Sequence, residues 1–224
     1  RKEATNAMDD QVLRQLADRL EYLRGLEKRK GEVAATIEEL GAMTSELQKA
    51  LEAAKTLAEV EDIYRPYKPK RKTRASVAKA RGLEPLAQAI FAQKPGLDVN
   101  AEAEKYINDE VPDAEAALAG ARDIIAEQVS DDAALRAQLR RFYQTFGLVK
   151  SRAAKEEDSV YAGYYDFSQA VNKIAGHRVL ALDRGEREGF LKVTVEVDAE
   201  KAVGGIRRMF VKAGGGPSAA QVSA

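Results

Sequence analysis

The stretch from Asp9 to Leu40 reads DDQVLRQLADRLEYLRGLEKRKGEVAATIEEL. Leu13, Leu16, Leu20 and Leu23, then Val33, Ile37 and Leu40, recur at spacings of three and four with charge between them, which predicts one amphipathic helix. At a rise of about 1.5 Å per residue, Leu13 to Leu40 spans roughly 40 Å. Gly25 and Gly31 each weaken such a helix by about 1 kcal/mol, and Gly41 suits the residue just past its end. A helix of this length at the start of the chain points to a mainly α fold.

The pattern continues outward from this helix. Ser45 with Gln48, and Thr56 with Glu59, have capping-box spacing and predict two more helix starts, the second running through Val60 and Ile63 to Tyr64 before Pro66 and Pro69 break it. A short helix over about Ala75–Arg81, then Gly82, then a helix opened by Pro85 and carrying Leu86, Ile90 and Phe91 make a helix-turn-helix-like pair. Residues 94–100 read as a loop. Leu118, Ala121, Ile125 and Val129, then Leu135, Leu139, Phe142 and Phe146, mark two further helices, with Asp113 and Asp131 at the expected caps.

After Gly147 the texture changes. Leu148–Ala153 and the alternating Phe190–Val197 are expected to form one small antiparallel strand pair. Between them lie the aromatic cluster Tyr161, Tyr164, Tyr165 and Phe167 and a helix from about His177 to Glu188. A last helix runs from Asp198 to about Lys212, loosened by Gly204 and Gly205. The expected organisation is a helical region over 1–147, a mixed region over 148–212 and a linker stub over 213–224. The fold class is mainly α: a helical bundle-like array with a long N-terminal helix, the helix-turn-helix-like pair and one small strand pair.

Composition narrows the function. Lys and Arg number 36 against 36 Asp and Glu, so a chain-wide polycation is excluded and any nucleic-acid site must be a local concentration of charge. The absence of Cys removes disulfides, thiolate nucleophiles and Cys-ligated zinc, and the single His, His177, excludes a His-rich metal site. No apolar run reaches the roughly 18 residues that a membrane span needs. A cytoplasmic protein is expected, with no membrane partner, no metal and no cofactor. Phosphate-loop, dinucleotide-binding and zinc-protease motifs are missing.

The local concentration of charge is Tyr64-Arg65-Pro66-Tyr67-Lys68-Pro69-Lys70-Arg71-Lys72-Thr73-Arg74. Arg65, Lys68, Lys70, Arg71, Lys72 and Arg74 are candidate phosphate contacts, and the prolines hold them extended. The alternative reading pairs these cations with acidic helices. Tyr64 and Tyr67 are expected to anchor the loop to the core, with Tyr67→Ala costing about 2 to 4 kcal/mol. Arg178, Arg184 and Arg187 are candidates for a secondary phosphate contact. His177, flanked by Val179, Leu180 and Leu182, reads as a buried, hydrogen-bonded structural residue, so no catalytic residue is assigned.

Glu61 to Arg74, together with Arg1-Lys2-Glu3-Ala4-Thr5, Leu20-Glu21-Tyr22-Leu23-Arg24 and His177-Arg178-Val179-Leu180-Ala181-Leu182, resembles the Tex family of bacterial transcription accessory proteins, relatives of a eukaryotic transcription elongation factor. Gly176 and Asn6 depart from that family's Ser and Gly. The resemblance implies the N-terminal helical part of a modular nucleic-acid-binding protein, followed in the family by ribonuclease-H-like, helix-hairpin-helix and S1 modules. Most RNA affinity in the family is expected of its S1 module, so binding by this part is not carried over from the resemblance. The expected role is a non-catalytic scaffold and accessory contact surface, whose expected partners are RNA or single-stranded nucleic acid, bound weakly, and the transcription or translation machinery. A rival is a protein-interaction module docking through the long helix; a second is an enzyme using His177.

Overall fold

The computed structural model describes residues 9–69, 72–155 and 157–224. Helix α1 spans Asp10–Glu39 and runs unbroken through Gly25 and Gly31. Its end is the expected one: Gly41 takes φ +67°, its N–H donates to the Glu38 carbonyl and that of Ala42 to the Ile37 carbonyl, the two bonds of a Schellman motif. Helix α2 (Ser45–Ala53) starts one residue earlier than its spacing suggested, because Thr44 accepts from the Leu47 N–H. Helix α3 (Leu57–Tyr64) is capped by Thr56, but Glu59 takes the N–H of Lys55, outside the cap, at 2.6 Å. Leu26, Val33, Ile37, Leu51, Ala54 and Val60 form the core that joins these three helices.

Helices α4 (Arg74–Ala80) and α5 (Glu84–Ala92) are the expected pair. Thr73 and Ser76 cap α4 reciprocally, Gly82 at φ +79° makes the turn, and a proline lies in the first turn of α5. Residues 94–100 are only partly a loop. Asp98 accepts from the N–H groups of Asn100 and Ala101 and starts α6 (Val99–Glu104), a helix too short for its period to show. Helices α7 (Ala114–Asp131) and α8 (Ala133–Phe146) follow. Asp113 does cap α7, accepting from Ala116 at 2.7 Å, whereas Asp131 is the last residue of α7, buried, and held by Arg65.

Three strands form one antiparallel sheet in the order β2-β1-β3: β1 is Leu148–Ala153, β2 is Asp166–Ala170 and β3 is Leu191–Glu196. The expected pair therefore gains β2 on its open side, drawn from the aromatic cluster. Helix α9 (Gly176–Arg187) packs on β3. Close approach of the two requires Gly185, where an added Cβ would sit 2.6 Å from Leu191 Cδ1. Helix α10 (Ala199–Phe210) is continuous through Gly204 and Gly205 and is capped by Asp198. The segment expected as a loose stub holds α11 (Gly216–Ser223), with Ser218 buried and Val222 packed on the core around Leu86 and Ile90.

Two compact units result. One comprises the described residues of Arg1–Arg71 with Asp131–Ala133, the other Lys72–Ser130 and Ala134–Ala224. The change of texture at Gly147 lies inside the second unit, and the division falls in the basic segment.

Candidate nucleic-acid interface

The basic segment begins where α3 ends in a 3-10 turn over Arg65–Tyr67, with a proline in its first positions. Both tyrosines pack on the core of the first unit, and the Arg29 guanidinium lies 5.4 Å from the Tyr64 ring centre. Arg29 also donates to Glu61 at 2.7 Å and to Glu32 at 3.1 Å, and these two bonds hold its pKa above the ordinary value. The tyrosines are thus anchors, leaving the cations to define the outer surface.

Those cations differ in their surroundings. Arg65 pairs with the buried Asp131 at 2.8 Å, and Arg74 lies 3.4 Å from Asp123 with its side chain 88% exposed. Lys68 and Lys72 are exposed and have no ion pair or hydrogen bond from their side chains among the described residues. Lys70 and Arg71 lie outside the described residues. Arg65 is therefore a structural strut, while Lys68, Lys72 and the loosely held Arg74 have side chains available to a phosphate.

The helix-turn-helix-like pair does not supply a basic reading head. Its second helix buries Leu86, Ala87 and Ile90 and turns Glu84, Pro85 and Gln88 to solvent, without a Lys or Arg in its length. A duplex-reading helix needs cations and donors on its outer face.

The second candidate cluster is dispersed. Arg178 donates to Gln169 at 2.8 Å beside the Phe167 ring, Arg187 pairs with Asp183 at 2.9 Å, and Arg184 is exposed. His177 is exposed in the first turn of α9, and Leu180 and Val179 are 69% and 46% exposed. The expected buried histidine is thus corrected: α9 buries only Leu182 and Gly185, and its apolar-looking outer face is solvent-facing. Tyr161, by contrast, is buried under α9; burial pushes its hydroxyl pKa up, and its bond to Glu188 adds to that. Among the described residues no group of three or more His, Asp or Glu side chains is assembled for a metal, and no helix is long and apolar enough to cross a membrane.

One group was missed by sequence reading. Gln93, in the left-handed conformation at φ +49°, is buried and donates to the Phe210 carbonyl at 2.7 Å while accepting from the Lys212 N–H at 2.8 Å. It ties the end of α10 to α5, a role set by contacts 117 and 119 residues apart that local pattern does not carry.

Comparison with known proteins agrees with the sequence resemblance. Residues 1–38 match the model of the Tex-like protein N-terminal domain, and residues 94–215 match that of the Tex central region. The chain is 43% identical over 199 residues to the transcriptional accessory protein Tex of Neisseria gonorrhoeae, covering 88% of this chain and 26% of that protein. It is 44% identical over 205 residues to the protein tex of Bordetella pertussis, with 89% and 26% covered. With the S1 RNA-binding domain-containing protein 1 of Homo sapiens it shares 30% over 210 residues, 88% of this chain and 21% of that protein. The chain thus spans about a quarter of the length of these bacterial relatives. With one family model covering more than half of its length, the chain belongs to the Tex family of transcription accessory proteins.

Proposed function

We propose that this chain is a non-catalytic helical scaffold that contributes an accessory contact surface for single-stranded nucleic acid in transcription-associated work. The observation that carries the reading is the basic segment: in a chain of zero net charge, Lys68 is exposed just after two tyrosines packed on the core of the first unit, and exposed Lys72 and loosely paired Arg74 follow it in sequence at the start of the second. Phosphate contacts of this kind give affinity and position without sequence choice. The name of the human relative, an S1 RNA-binding domain-containing protein, supports RNA as the class of ligand.

The test mixes the chain with labelled single-stranded RNA at low and moderate salt. Binding that appears at low salt and weakens on raising it is expected. No binding at low salt would contradict the reading.

A second reading, docking through the long helix on a protein partner, is favoured by one observation. Val12, Leu16, Leu20 and Leu23 form a stripe on α1 that is 39% to 54% exposed. The fitting partner is an amphipathic helix that lays its apolar face on this stripe. If this reading is correct, Leu16→Lys with Leu20→Lys abolishes capture of such a helix and leaves RNA binding unchanged.

A further inference from the structure

The face of the sheet turned away from α9 has a composition that its fold does not need. Val149, Phe167, Leu191 and Val193 point inward to the cluster around Tyr161 and Leu182. Alternation then sends the other residues outward in three cross-strand rows: Ala170, Leu148 and Glu196; Ser168, Lys150 and Thr194; Asp166, Arg152 and Lys192. Small Ala170 and Ser168 leave the β2 side of this surface low, and the third row places two cations side by side.

Phe146 lies at the Leu148 end of that face. It is 64% exposed, its ring centre is 5.1 Å from that of Phe142 in a tilted pair, and both line an open cavity of about 540 Å³ with Leu148, Lys150 and Lys201. Lys150 is held by Glu196 at 2.7 Å and Lys201 by Asp198 at 3.0 Å. The Lys150 bond holds the Glu196 carboxyl below the ordinary range, with Arg152 adding a weaker pull. Arg152 and Lys192 are exposed and have no ion pair or side-chain hydrogen bond among the described residues, although Asp166 faces Arg152 across the strands. Along β1, Leu148 and Arg152 are about 13 Å apart at 3.3 Å per residue.

We propose that this outer sheet face is a second contact surface for single-stranded nucleic acid, with a base stacked on Phe146 and phosphates against Arg152 and Lys192. An exposed aromatic ring at one end of an open surface, with two cations that have no ion pair among the described residues about 13 Å further along it, offers a single strand a platform for a base and charge for its backbone one or two nucleotides on. The four cations around the face, Lys150, Arg152, Lys192 and Lys201, face three carboxylates, Asp166, Glu196 and Asp198. Charge alone is therefore a weak attraction, and stacking carries much of the contact. The surface shares only its class of ligand with the reading given above and uses none of the residues of the basic segment.

The test is fluorescence anisotropy with a labelled single-stranded RNA of about 16 nucleotides, using the whole chain and three variants checked for unchanged melting. Phe146→Ala should weaken binding about five-fold or more, Phe146→Trp should retain it with quenched fluorescence on binding, and Arg152→Gln with Lys192→Gln should lower the log-log salt slope by about 1. A fourth variant, Lys68→Gln with Lys72→Gln, separates the two surfaces. If it alone loses affinity, the sheet face is overturned and the basic segment stands; if only the sheet variants lose affinity, the reverse holds. A parent that binds no RNA overturns both. Self-association abolished by Phe146→Ala, without RNA binding, would make the face an interface between copies and would also overturn the proposal.

Discussion

Tyr67 packs on the core of the first unit while Lys68, its neighbour, faces solvent, and the two carry different predictions. Tyr67 is half-buried, so Tyr67→Ala is expected to cost about 2 kcal/mol in urea unfolding, the low end for a large truncation. A loss below about 0.5 kcal/mol would show that the ring is not an anchor. His177 reverses its sequence reading. Because it is exposed and makes no side-chain bond among the described residues, His177→Ala should leave stability within about 0.5 kcal/mol of the parent, measured by the same unfolding. Glu196 gives a test by titration. Its carboxyl is held below the ordinary glutamate value, so the stability it contributes is present above that ordinary value and is lost as pH falls through the lowered one. Carbon-detected NMR should show this lowered midpoint, and Lys150→Met should move it up; an unmoved midpoint would refute the Lys150 bond as its main cause.

Two helical glycines make opposite predictions at the level of the element. A Cβ at Gly31 would meet nothing within 4 Å, so Gly31→Ala on α1 should stabilise by about 0.5 to 1 kcal/mol. A Cβ at Gly120 would sit 2.4 Å from Leu83 Cδ1 and 3.3 Å from Ala78 Cβ, so Gly120→Ala on α7 should destabilise by about 1 to 3 kcal/mol as the turn between α4 and α5 is pushed aside. Thermal melts of both variants check the signs. The long helices were legible because their own period announces them: α1, α7 and α8 each carry several repeats of one pattern, and β3 shows a clean alternation despite its length. The misses have physical causes. Helix α6 and strand β2 are short, and β2 alternates Phe167 with Gln169 on its inner side, so no clean apolar run marks it. Gly204 and Gly205 lower intrinsic propensity, but α10 retains a capping Asp198, and Phe210 at its far end packs beside Phe91. The buried reading of His177 failed because the sequence Val179-Leu180-Ala181-Leu182 does not say which of its sides a neighbour covers.

Across the whole molecule, net charge is zero, and the proposed nucleic-acid contact depends on where charge is left unpaired. The cationic segment is visible in the sequence itself, but the sequence does not tell that Arg65 is held by a residue 66 positions away or that Tyr64 lies against Arg29. Ion pairing of this kind removes cations from a site without changing composition. The account therefore rests on Lys68 and Lys72, with Lys70, Arg71 and Arg74 as neighbours in the same segment. The most direct test is the salt dependence of single-stranded RNA binding by the parent and by a folded Lys70→Glu, Arg71→Glu, Lys72→Glu variant. If three or four phosphates are contacted through the segment, the parent's log-log slope is about −2 to −3 and the variant's is markedly flatter; an identical slope in the two proteins would contradict the basic segment as a nucleic-acid contact.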